Sequence, residues 1–176
     1  FFALAYLYLL AGLMVPPQVI LLPVVQLLAR IGLMFTMPGL VLYDIAWYTP
    51  FATFVYAGYM RTISKELDES AELDGAGVFG TFARVVFPLA TPATGAVMIF
   101  VFLWVWNDFL NPLIILGTRS SFYTVTTGIY RAIGQFNTNW AQIFTLSTLV
   151  SLPVILLYLF MQRSFVAGLT QGSLKG

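Results

Sequence analysis

Few side chains in this sequence could do chemistry. Among its 176 residues there is no His and no Cys, which removes the usual catalytic base, the commonest metal ligand and every thiolate or disulfide. The densest run of polar groups beside rings is Trp104-Val-Trp-Asn-Asp-Phe-Leu-Asn-Pro112. Amides and a carboxylate exchange hydrogen bonds with hydroxyls, and rings stack on the apolar faces of sugars, so Trp106, Asn107, Asp108 and Asn111 fit a sugar-binding surface. Asn107 and Asn111 stand at i, i+4 and would share a helical face. The same residues also fit a helix end capped by Asn and Pro, with Trp104 and Trp106 in an interfacial aromatic belt.

The second concentration is acidic. Residues 64–88 hold five of the seven Asp and Glu residues of a chain that is otherwise mostly apolar. Ser64 is a good N-cap, Glu66 and Asp68 fall in a first turn where acids favour the helix dipole, and Gly75 supplies a C-terminal stop. The spacing predicts a short helix of about 15 Å, marginal alone in water and so held by a neighbour. Leu67, Ala71 and Asp74 share one face, a narrow apolar strip edged by carboxylates that suits a groove. After Gly75-Ala76-Gly77 a second helical pattern runs from Val78 to Phe87, with Phe79, Phe82 and Val86 on one side and Pro88 closing it.

These runs are positioned by oil. The chain is 60% hydrophobic and 9% charged, with a mean hydropathy of +0.90, against about 25% charged residues in soluble domains. The fold class is all-α, a polytopic membrane bundle with four spans at about residues 1–29, 39–60, 89–116 and 140–161, and an aqueous loop at 61–88. Pro16, Pro17 and Pro23 interrupt the first, either bending a wall or ending the span before an interfacial helix. The second carries Asp44 near its end, within reach of water or Arg30. The third opens with Ala90, Thr91, Ala93, Thr94, Gly95 and Ala96, small enough for close helix contact. The fourth contains Pro153, which predicts a kink. Residues 117–139 are polar by this chain's standard and suit contact with a soluble protein, or a plain connection. A net charge of +1 gives no basic face for nucleic acid.

Orientation follows the cations. Placing residues 61–88 and the tail on one side collects Arg61, Lys65, Arg84, Arg163 and Lys175, against Arg30, Arg119 and Arg131 on the other. The excess puts the acidic loop in the cytoplasm. The sequence starts at Phe1, already apolar and with no basic n-region before it, which argues against a signal peptide and for the C-terminal part of a longer protein.

Glu69-Ser70-Ala71, Asp74-Gly75-Ala76 and the later Phe87-Pro88 resemble the Glu-Ala-Ala-x-x-x-Gly loop of inner-membrane permeases of ATP-binding cassette importers, with Ser70 in place of the usual alanine. Trp106-Asn107-Asp108-Phe109 and the tail Arg163-Ser-Phe-Val-Ala-Gly168, closing in Lys175-Gly176, resemble the same family, nearest its carbohydrate-uptake, maltose-permease branch. The resemblance implies that Glu69, Ser70, Ala71, Asp74, Gly75 and Ala76 form a coupling helix that fits a cleft on a cytoplasmic ATPase. It implies two further spans upstream, and partners comprising an ATPase dimer, a second homologous permease, an extracytoplasmic solute-binding protein, the bilayer and a small sugar, in a bacterial or archaeal cytoplasmic membrane. ATP and Mg would be bound by the ATPase and no cofactor by this chain. In keeping with that, the sequence contains no G-x-x-x-x-G-K-[ST] phosphate loop and no G-x-S-x-G elbow, so it reads as a permease and not an enzyme. The alternative is an ion-coupled secondary transporter or channel, for which Asp44 and Asp108 would be the only membrane acids.

Overall fold

Prolines and hydroxyls set the boundaries of the helices. The computed structural model describes residues 2–64, 75, 77–133 and 139–173, with the backbone alone for Phe2 and residues 161–173. Every regular element among the described residues is helical. They fall into two compact units, residues 1–122 and 123–176.

In the first unit, α1 (Phe2–Ala11) runs into a tight 3-10 turn at Gly12–Met14, and α2 (Pro17–Arg30) starts with a proline as its first residue. A ring that fixes φ and lacks an N–H is at home there, and no regular helix can run back through it. The chain bends by 106° between the two arms. Residues 1–29, expected as one span, are therefore an elbow. Residues 31–36 turn into α3 (Met37–Met60), with Thr36 as N-cap: its Oγ1 accepts from the Gly39 amide at 3.2 Å and donates to the Leu33 carbonyl at 2.8 Å. A Cβ at Gly39 would overlap that carbonyl, which is why glycine stands there.

Val78–Leu89 forms α4, and it departs from the expected pattern. Its middle, Phe82–Val86, is a π turn in which the Phe87 amide reaches back to the Phe82 carbonyl. Pro88 does not close the helix but sits inside its final turn, Phe87–Leu89. Its ring would collide with the carbonyl four residues back in a regular helix, and a widened turn relieves that clash. The real break is at Ala90, where the chain bends by 67° into α5 (Thr91–Asn107). Pro92 leaves the Pro88 carbonyl without its i+4 donor, and the Thr91 hydroxyl supplies one at 2.6 Å.

The expected span 89–116 is broken too. Helix α5 stops at Asn107, Asp108 is extended, and α6 (Leu110–Ile115) starts afresh. Pro112 explains this: it cannot donate to the Asp108 carbonyl, but it is tolerated in the first turn of a new helix. Asp108 Oδ1 accepts from the Asn111 amide at 3.4 Å as that turn begins. Asn107 and Asn111 consequently lie on different helices, not on one face.

Helix α3 is the spine of this unit. It packs against α1, α5 and α6. Ala90 and Ala93 are buried, and the Tyr56 hydroxyl bonds Thr94 Oγ1 across the α3–α5 contact at 2.8 Å. Close approach at small residues with a polar tie is the expected packing mode. Leu28, Leu40, Tyr43, Ile115 and Leu116 form a buried cluster at the junction of α2, α3 and α6. Against it, Phe35 holds a left-handed φ of 66°, rare for a residue with a Cβ. Its amide bonds the Ile115 carbonyl at 2.9 Å, and its ring lies against Gly117 with the Arg119 guanidinium 5.6 Å from the ring centroid.

The second unit comprises α7 (Val125–Arg131), entered through a Thr124–Thr127 capping box, and α8 (Trp140–Ser173). Helix α8 runs unbroken through Pro153. Its stretch Trp140–Phe160, with a mean hydropathy of 2.2, is long and apolar enough to cross a membrane alone. Residues 3–30 and 78–107 would each reach that standard if the bent pair counts as one span. Helix α3 is long enough but less apolar, because one acid, four tyrosines and two threonines interrupt it.

Candidate functional site

An open cavity of about 620 Å³ lies in the first unit between the elbow, α3 and the α5–α6 break. Helix α3 contributes Trp47, Tyr48 and Phe51, and α5 contributes Leu103, Trp104 and Asn107. Both helices thus use the spacing i, i+1, i+4, which puts three side chains on one face. Asp108 and Asn111 close one edge, and Gly12 and Leu13 at the elbow form the remaining wall. Gly12 permits the close approach: a Cβ there would lie 3.0 Å from Pro50 Cγ, and the Pro50 ring would have to give way slightly.

The wall is aromatic and interlocked. The Trp104 indole stacks on Tyr48 with centroids 5.7 Å apart and meets Phe51 edge-on at 4.6 Å. Phe100 closes the cluster against Phe51 and Trp104, 5.8 Å from each. The polar edge is equally constrained. Asn111 Nδ2 donates to Asp108 Oδ2 at 2.8 Å, and Asn107 Nδ2 donates to the Leu103 carbonyl at 2.7 Å. The Asn107 and Asn111 amide oxygens remain as acceptors, and Asp108 adds carboxylate acceptors. Broad rings beside fixed hydrogen-bonding groups suit a neutral, hydroxyl-rich ligand better than a small ion.

Of the residues singled out from sequence, Asn107, Asp108 and Asn111 all line this cavity, although from two helices. Trp106 is placed elsewhere: it stacks on Phe102 at 5.4 Å, while Trp104 faces the cavity. Trp47, Tyr48 and Phe51 were missed, though their i, i+1, i+4 spacing mirrors that of α5. Asp44 is half-buried on α3 and is not part of the lining. Among the coupling residues, Glu69, Ser70, Ala71, Asp74 and Ala76 lie outside the described residues. Gly75 is described, with a φ of 79°, the left-handed backbone expected of a glycine at a helix stop. No group of three or more acids that could hold a metal occurs among the described residues.

Broken apolar helices around an aromatic, amide-edged cavity fit a membrane transport component. The chain belongs to the family of binding-protein-dependent transport system inner membrane components, which it matches over residues 2–171. It is similar to the multiple sugar-binding transport system permease protein MsmG of Streptococcus mutans, 33% identical over 99% of this chain and 63% of that protein. It is also similar to the arabinooligosaccharides transport system permease protein AraQ of Bacillus subtilis, 36% identical over 93% of this chain and 57% of that protein. A third relative is the osmoprotective compounds uptake permease protein GgtD of Synechocystis, 34% identical over 98% and 58% respectively. The chain thus spans about three fifths of the length of these curated relatives.

Proposed function

We propose that this chain forms part of the translocation path of an ATP-driven sugar importer in a bacterial or archaeal cytoplasmic membrane, crossing it four times. The observation that carries this reading is the 620 Å³ cavity, where rings at Tyr48, Phe51 and Trp104 face the amide and carboxylate edge of Asn107, Asp108 and Asn111. Family membership and the sugar-transport names of its relatives support it. ATP and Mg belong to a separate cytoplasmic ATPase dimer, which engages residues 69–76. A second permease completes the path and an external binding protein delivers the solute. Closure of the ATPases moves the coupling segments, and the broken helices move with them as rigid pieces. Because Asp108 is clasped by Asn111 and Asp44 stands off the cavity, a mid-membrane ion relay has little to work with.

The test is uptake by the complete transporter in proteoliposomes. Uptake should stop when ATP is withheld and continue when an ionophore collapses the proton gradient; the opposite pattern would reject ATP coupling. Gly75→Pro and Glu69→Lys should leave insertion intact while separating ATP hydrolysis from uptake. Wild-type transport in both variants would reject the coupling role.

A further inference from the structure

A second large cavity, about 700 Å³, lies entirely within the second unit, between α7 and α8. Both helices contribute to its wall. Helix α7 and its flanks supply Tyr123, Val125, Ile129, Arg131 and Ala132, while on the α8 side the polar Asn139 and Gln142 come first and the apolar Leu146 and Val150 follow. Gln142, Leu146 and Val150 follow at i, i+4, i+8, a single stripe about 12 Å long on α8. The polar end begins where the membrane-crossing stretch of α8 begins, at Trp140, which is exposed and stacked on Phe144 at 6.1 Å. An exposed indole at the start of such a helix marks the headgroup level. With α8 crossing a bilayer, the stripe would run from that level toward hydrocarbon.

The head of this cavity is built. The Tyr123 ring lies against Gly128, where a Cβ would come within 3.2 Å of it, and the Arg131 guanidinium sits 5.0 Å above the same ring. The capping box at Thr124 and Thr127 fixes the start of α7 and hence the register of Arg131. A cation over a ring and two amides in the wall of one cavity, with an apolar stripe following the amides along α8, have the charge and shape of one kind of ligand. We propose that this cavity binds an anionic phospholipid, its phosphate at Arg131, Asn139 and Gln142 and the upper part of one acyl chain along Leu146 and Val150. A sugar would use the amides but leave the apolar slot unfilled, and free phosphate would use only the head.

The proposal rests on α8 crossing the bilayer, not on the sugar-importer reading. Its test is native mass spectrometry of the full-length permease within its delipidated transporter, titrated with phosphatidylglycerol or phosphatidylcholine. The wild type should prefer phosphatidylglycerol by about fivefold, the effect of one cation near an anionic headgroup. Arg131→Gln should abolish the preference, Arg131→Lys should retain most of it, and Val150→Trp should weaken binding of both lipids by filling the tail slot. Unchanged preference in Arg131→Gln, or unchanged binding in Val150→Trp, would overturn the proposal. Equal competition by glycerol phosphate, or displacement of the lipid by a saccharide, would overturn it as well.

Discussion

Asn107 and Asp108 are neighbours with different obligations, and their variants should separate. Asn107 is exposed and spends one amide hydrogen on its own helix, so Asn107→Ala should raise the apparent KM for uptake severalfold without lowering thermal stability. Asp108 also clasps Asn111 at the start of α6, and losing such a hydrogen bond costs about 0.5–1.5 kcal/mol. Asp108→Ala should therefore weaken both uptake and the melting temperature of the purified transporter; a loss of uptake alone would mean that the clasp does not hold α6. Trp104→Ala should reduce apparent affinity more than Trp106→Ala, because only the former indole meets both Tyr48 and Phe51 at the cavity. Equal effects would count against the cavity as the sugar surface. The sequence made the polar trio legible because amides and an acid are conspicuous in oil. It did not reveal which tryptophan faces inward, since that depends on the rotation of α5 against α3, and no local pattern encodes a partner helix.

Helix boundaries were readable where a proline had no alternative. Pro16-Pro17 announced the elbow, and Pro38 and Pro92 sit in first turns within about two residues of the expected starts. Pro88 misled because a period of 3.6 presumes regular winding, whereas a π turn lets the helix continue through it. The helix end at Asn107 was one of two readings that Asn107, Asn111 and Pro112 allowed; the other, one helical face shared by Asn107 and Asn111, did not hold. Nor did the sequence expose the left-handed Phe35, whose conformation is imposed by Ile115 and Gly117, some 80 positions away. Gly117 is itself left-handed, with a φ of 57°. Gly117→Ala should cost about 1–2 kcal/mol for backbone strain, with more from contact with the Phe35 ring. The readout is the melting temperature; an unchanged value would show that the 31–36 turn is not anchored there.

For the molecule as a whole, the coupling proposal makes a positional prediction. A crosslinker carried by Ala71→Cys should capture a soluble ATPase subunit from the cytoplasmic side, in a complex that also contains a second permease. Labelling of that cysteine only from outside would invert the proposed topology and remove the coupling site with it. One consequence concerns the winding of α4. A π turn stores one surplus residue, and a residue of α-helix amounts to about 100° of rotation and 1.5 Å of rise. Deleting Val85 would spend that surplus, restore ordinary winding and drive the Pro88 ring against the carbonyl four residues before it, so the helix would have to kink there. The surplus residue is thus what lets a proline ride inside this helix without breaking it.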